Sequence, residues 1–246
     1  MAVSVTPPEM RIPDPLEGLE REELETMLAA GYEARECMRV LEKVGLNLVG
    51  EILKGQGTFY ELQHYPKGDV YDHETHSQYY YHAHRPESGE HGHFHTFLRA
   101  AGMPPGVRPA PYRGSAPRPL GKDALSHLVA ISMDRYGRPT HLFTTNRWVT
   151  GETWYRAEDV IRMVDRFAID HAWPCWATNR WITAMLQLFK PQIAELLRER
   201  DRVVAEWARR HPDRDVFEDR ELDITSITPI SIDAQIAALE QRLGLR

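Results

Sequence analysis

Residues 77–98 read SQYYYHAHRPESGEHGHFHTFL. In an extended strand successive side chains point to opposite faces, so Tyr80, His82 and His84 share one side while Tyr79, Tyr81 and Ala83 share the other. The same alternation puts His91, His93 and His95 together. Between the two runs, residues 85–90 carry Pro86 and Gly89, which favour a turn. The stretch therefore predicts an antiparallel hairpin whose ladder sets His84 opposite His91, His82 opposite His93 and Tyr80 opposite His95. Five imidazoles and a phenol then occupy one side of it.

Strand formation alone gives no reason to choose histidine, and crowding imidazoles on a half-buried face strips them of water and forces them to stay neutral. A metal ion supplies the reason; the alternative is a polar face without metal that responds to pH. Opposed Cβ atoms lie about 4.5 to 5.5 Å apart and same-face neighbours on one strand roughly 6.7 Å apart. Both spacings let two ring nitrogens converge on one ion at ~2.0 to 2.2 Å. The candidate ligands are His82, His84, His93 and His95, with His91 at the loop edge and His64 on an adjoining strand as further donors. Glu61, Tyr80 and Glu90 are the candidate catalytic groups, as a carboxylate beside a metal-bound water or a hydroxyl within reach of it. Asp69, Asp72, His73, Glu74 and His76, in an apparent loop at 65–76, are placed to orient imidazoles.

The rest of the chain sets the boundaries of this reading. Of its 12 histidines, eight fall within residues 64–95, whereas it has only two cysteines, Cys37 and Cys175. That rules against a disulfide framework or thiolate-built zinc and iron–sulfur sites, leaving Fe(II) as the favoured ion, then Zn(II), Mn(II), Ni(II) or Cu(II). A net charge of -6 lacks the basic footprint of a nucleic-acid binder. No apolar run approaches the length of a membrane span, and the N-terminus has no basic start followed by an apolar core, which predicts a cytoplasmic protein. The nonapeptide HAHRPESGE at 82–90 resembles the HxH-plus-carboxylate pattern of cupin barrels. Glu90 falls further from His84 than in that pattern and no second barrel motif follows, so no fold is taken from it.

Working outward, the sequence predicts one domain of class α+β. An extended arm at 1–18 precedes a helical region at 19–56, broken near Gly45. A histidine-rich antiparallel sheet of about four or five strands spans 58–148, and a mainly helical region spans 149–246, so that helices from both ends cover the sheet. Strands are expected at 58–65, 77–84, 91–98, 127–133 and 141–148, with a short one at 222–227. Helices are expected at 157–169, at 177–210 with a kink at Pro191, and at 231–243. The proline-rich segment 99–124 is a long loop of the kind that usually has work to do.

The tetrapeptide TNRW occurs at 145–148 and again at 178–181, placing Arg147 and Arg180 beside indoles as candidate clamps for a substrate carboxylate or phosphate. The functional expectation is a metal-dependent enzyme with a mononuclear histidine-rich site acting on a small molecule by oxidation or hydrolysis. Its alternative is a non-catalytic metal- or haem-binding protein for storage, sensing or structure. A small-molecule substrate is the expected partner, with neither nucleic acid nor membrane, and the oligomeric state is left open.

Overall fold

The structure is a computed structural model of the 246-residue chain and describes residues 7–83 and 89–245. Its centre is an antiparallel sheet of six strands: β1 (Tyr65–Tyr71), β2 (Ser77–His82), β3 (Gly92–Arg99), β4 (Leu125–Met133), β5 (Pro139–Thr145) and β6 (Ile224–Pro229). The strands lie in sheet order β1-β2-β3-β4-β5-β6, each paired with its neighbour in the chain. The α+β class holds, with one strand more than the upper expectation.

Among the described residues seven α-helices accompany the sheet: α1 (Arg21–Glu42), α2 (Leu48–Leu53), α3 (Arg147–Thr150), α4 (Ala157–Val164), α5 (Trp176–Leu188), α6 (Lys190–Arg210) and α7 (Ile232–Leu243). Among the described residues no helix is long and apolar enough to cross a membrane. In α1 the apolar positions Leu24, Met27, Leu28, Ala34, Cys37 and Leu41 form one buried stripe. Gly31 lets that stripe approach α7 closely, because a Cβ there would meet Ile236 Cγ1 at 2.7 Å. The predicted kinked helix at 177–210 is two helices. They part at Phe189 (φ -107°, ψ 19°), and Pro191 sits in the first turn of α6, where a missing N–H leaves no bond unmade.

The sheet has two unlike faces. Tyr79, Tyr81, Phe94, Leu98, Leu128, Val129, Ile131 and Leu142 belong to the main apolar core, together with Trp181, Leu188, Ile193 and Ile236 from the helices. On the opposite side Ala130, Phe143 and Ile224 make a small apolar cluster beside the histidines. The predicted hairpin forms with His82 paired to His93 and Tyr80 to His95. His84, and with it the expected pairing to His91, lies outside the described residues, as does Glu87.

The first strand departs from expectation. Residues 58–64 are turn and loop, and the strand begins at Tyr65, within the segment expected to be a loop. Gly68 (φ 90°) and Asp69 (φ 60°) interrupt the pairing between Tyr65 and Val70, so the chain bulges out and rejoins β2. A bulge breaks period-two alternation, which hides such a strand from a pattern search.

Asp72, 3% exposed, anchors the β1–β2 connection. Its Oδ1 accepts the N–H groups of Glu74 (2.8 Å) and Thr75 (2.9 Å), and its Oδ2 that of Asp170 (2.7 Å). Burial acts to raise its pKa, but these backbone donors outweigh it and hold the carboxyl below its ordinary value. Asp72→Ala is expected to lose about 2 to 3 kcal/mol, the scale of hydrogen bonds to a charged group left partly unmade. Because the folded pKa is depressed, that stability is full above the unfolded carboxylate range and fades as pH falls through the folded value. Urea denaturation of both proteins at neutral and acid pH checks this: the gap between them should narrow in acid.

Candidate metal centre

His82 closes β2, while His93 and His95 occupy alternate positions of β3, so one hairpin presents all three rings to one side. The ring centroids of His82 and His93 are 4.5 Å apart, those of His82 and His95 5.1 Å, and those of His93 and His95 4.8 Å. Each pair is close to perpendicular. One nitrogen from each ring lies within 4.8 Å of the others, and among the described residues this is the group able to hold a metal. The His82 and His93 Nε2 atoms are 2.7 Å apart. Two nitrogens on one ion at about 2.0 to 2.1 Å sit roughly 3 Å apart or slightly more, so a shift of a few tenths of an ångström turns this contact into shared ligation.

His93 and His95 each have a partner behind the ring. His93 Nδ1 bonds Glu90 Oε1, and Glu90 Oε2 accepts from Ser132 Oγ at 2.9 Å, in the register where Ser132 faces His93. A carboxylate on Nδ1 fixes that nitrogen as the protonated one and turns the Nε2 lone pair outward. Behind His95, its Nδ1 lies 2.9 Å from His127 Nε2. Burial pushes the His127 pKa down to about 3, with Arg200 and His93 adding to the effect, so its imidazole is neutral. Beyond it, Glu152 Oε2 accepts the His127 backbone N–H at 2.7 Å. Burial raises the Glu152 carboxyl to about 7, against the pull of Arg200 and that N–H.

His127 is the residue the sequence reading missed. Simple alternation along β4 groups it with Val129, Ile131 and Met133, on the core side. The pairing shows why it turns the other way: His95 faces Ala130, but Phe97, two residues on, faces His127, three residues back. The extra residue in β4 is a bulge that rotates His127 to the histidine face.

The other candidates divide. Tyr80 packs beside the trio, its ring 5.1 Å from His95 and 5.4 Å from His82, and burial raises its phenol well above the ordinary value. His64 precedes β1 rather than lying on a strand, yet it reaches the site. Its ring stacks on Tyr80 at 3.5 Å and meets His82 edge-on at 5.8 Å, and its Nδ1 is 3.1 Å from Asp69. Phe143 closes the far side, 5.1 Å from His93.

His91 does not join the group. It lies just before β3, and its Nδ1 pairs with the Tyr81 hydroxyl at 2.6 Å, a residue of the core face. Glu61 is exposed in the loop ahead of β1. Arg147 is buried in an ion pair with Glu218 and donates to the Pro117 carbonyl at 2.5 Å, while Arg180 pairs with Glu33 and lies over Trp176. Both arginines thus tie elements together in the described contacts, with no bond to the histidines. The proline-rich segment is pinned to the residues that follow α3, by Ala110 N–H to the Trp154 carbonyl (2.8 Å) and by Thr153 Oγ1 to the Pro119 carbonyl (2.6 Å).

A family model described as a domain of unknown function, DUF6969, matches residues 28–230, a span that includes all six strands. No curated protein and no solved structure matches the chain.

Proposed function

We propose that this chain, which belongs to the DUF6969 family, binds one divalent transition-metal ion through His82, His93 and His95 and acts through it as an enzyme on a small molecule. The observation that carries the reading is the convergence of three near-perpendicular imidazoles, one of them backed by Glu90. Neutral nitrogen donors suit Fe(II), the favoured ion, and then Zn(II). Three protein ligands leave at least one position for water or substrate, which is the arrangement of catalytic rather than structural sites. When bound, the ion would supply a Lewis acid or a redox centre for hydrolysis or oxidation. Within that scheme Glu90 sets the tautomer of His93, and Tyr80 packs its ring against His82 and His95. A bare ion suits the crowding of the three rings better than haem does, since a porphyrin needs a flat slot beside its axial ligand.

One observation favours the non-catalytic alternative. His93 and His95 are both 0% exposed, as in a site that is closed once filled. A cytoplasmic setting belongs to the proposal and rests on the composition, with two thiols that are not paired.

Elemental mass spectrometry on untagged protein, dialysed against a weak chelator, tests the reading. One equivalent of metal per chain supports it, and metal-free protein that takes up neither Fe(II) nor Zn(II) overturns it. Glu90→Gln should keep the fold but raise the metal dissociation constant about 10- to 100-fold, the usual effect of removing a ligand's orienting partner. Competition with a chromogenic chelator measures that constant.

A further inference from the structure

We propose that this chain pairs with a second copy of itself, the basic proline-rich segment of each copy lying against the acidic start of α1 in the other. The pairing does not depend on the metal site. Residues 99–122 carry Arg99, Arg108, Arg113, Arg118 and Lys122, and no acid before Asp123. Residues 14–25 carry six carboxylates against the single cation Arg21. One chain thus holds two runs of opposite sign and equal net size, which its overall charge of -6 conceals.

The fold fixes these cations without neutralising them. Ala110 bonds to Trp154, Thr153 to Pro119 and Ser115 to Asp215, so the segment is held as a defined surface. A bridge between Pro109 and Tyr155 sets Arg108 opposite Arg156, both exposed, and like charges so placed are destabilising until an anion joins them. Among the described residues Arg108, Arg113, Lys122 and Arg156 are in no ion pair. The carboxylates of α4 beside them are engaged elsewhere, Glu158 with Arg198 and Asp159 with Arg162.

The acidic run borders a cleft of about 1180 Å³, lined by Glu17, Glu20, Glu22 and Glu23. Of its cations, Lys190 pairs with Asp165 and Arg198 with Glu195, which leaves Arg11. Its apolar lining includes Leu19, Met27 and Leu186, a match for Leu120, the large apolar side chain that the basic segment exposes at 56%. The two surfaces adjoin at the end of α4: Arg162, in its last turn, donates to the Pro105 carbonyl at 2.8 Å, while Val164 and Asp165 line the cleft. A two-fold axis beside them makes the contact between opposite charges twice. Nucleic acid suits the basic face less well, because its one aromatic ring, Tyr112, is half-buried and already covered by Arg118 and Arg147, leaving no platform for a base.

Sedimentation velocity on the untagged full-length chain tests this. At about 0.05 M salt the mass should approach twice 28.4 kDa, and at about 1 M, where screening reaches within about 3 Å, it should return to that of one chain. Reversing the basic face with Arg108→Glu, Arg113→Glu and Lys122→Glu together should weaken the dimer at least about tenfold. Reversing the acidic face with Glu17→Lys, Glu22→Lys and Glu25→Lys together should do the same. An equal mixture of the two reversed chains should pair again, since one contact of the mixed dimer is then unaltered and the other once more joins opposite signs. A wild-type chain that stays single at low salt, a dimer indifferent to salt and to both reversals, or a mixture that does not pair overturns the proposal. So does a single chain that captures labelled single-stranded DNA in its place. Should a reversed chain fail to fold, the salt dependence of the wild-type mass decides alone.

Discussion

Replacing His93 with alanine should empty the site, taking bound metal from one equivalent per chain to none. His93 touches both other ligands. It stands opposite His82 with the two Nε2 atoms 2.7 Å apart, and its ring is 4.8 Å from that of His95. Removing it leaves two imidazoles on different strands and takes the His93 ring donor from the part-buried Glu90 carboxylate. Glu90 keeps the Ser132 hydroxyl but loses a hydrogen bond to its charged group, a cost of about 1.5 to 3 kcal/mol, so the variant is also expected to melt earlier. His82→Ala separates the two effects, because His82 ends its strand and its removal leaves the His93–Glu90 bond in place. It should lose the metal with a smaller change in stability. His64→Ala, which alters a neighbour rather than a ligand, should keep a full equivalent. Metal content and circular dichroism of the three proteins check this, and a full equivalent retained by folded His93→Ala would sink the assignment.

The second large effect is expected from a glycine. A Cβ built on Gly92 would lie 2.5 Å from the His82 carbonyl oxygen, 2.5 Å from the Tyr81 hydroxyl oxygen and 2.7 Å from its Cζ. The side chain of Tyr81 is locked in the core and the carbonyl is backbone, so neither can yield cheaply. Gly92→Ala should therefore force β2 and β3 apart beside the His82–His93 pair, losing about 1 to 3 kcal/mol and weakening metal binding without touching a ligand. Gly50→Ala is the control: its nearest contact would be Asn47 Oδ1 at an ordinary 3.5 Å, within α2. Chemical denaturation and chelator competition on the two variants measure both consequences.

The hairpin was legible because both of its strands obey strict alternation and its turn residues sit between them. From that came the register that brings His82, His93 and Tyr80 to one side and fixes His95 two residues on. What escaped was wherever a bulge breaks alternation. Gly68 and Asp69 hide β1, and the extra residue of β4 hides His127. His91, expected as a further donor at the loop edge, lies one residue outside β3, where it pairs with the Tyr81 hydroxyl rather than with the histidine trio. Arg147 and Arg180 were singled out by a repeated tetrapeptide, yet their partners, Glu218 and Glu33, are 71 and 147 residues away in sequence. Only the folded chain brings such pairs together.

The meander order of the sheet carries a consequence for how the protein and its ion come together. Because β2 and β3 are joined directly, the ligands span only residues 82 to 95. Closing so short a loop takes ~10 to 100 ns and little entropy, since closure entropy grows with the logarithm of loop length. If the proposed ion binds here, a hairpin of this kind gathers it while the helices are still unmade, and the unfolded chain keeps part of that affinity. An ion bound by both states stabilises the folded one only by the difference. Metal here should therefore act less as a staple for the whole fold than as an early organiser of one hairpin, present while the remaining strands are laid down beside it.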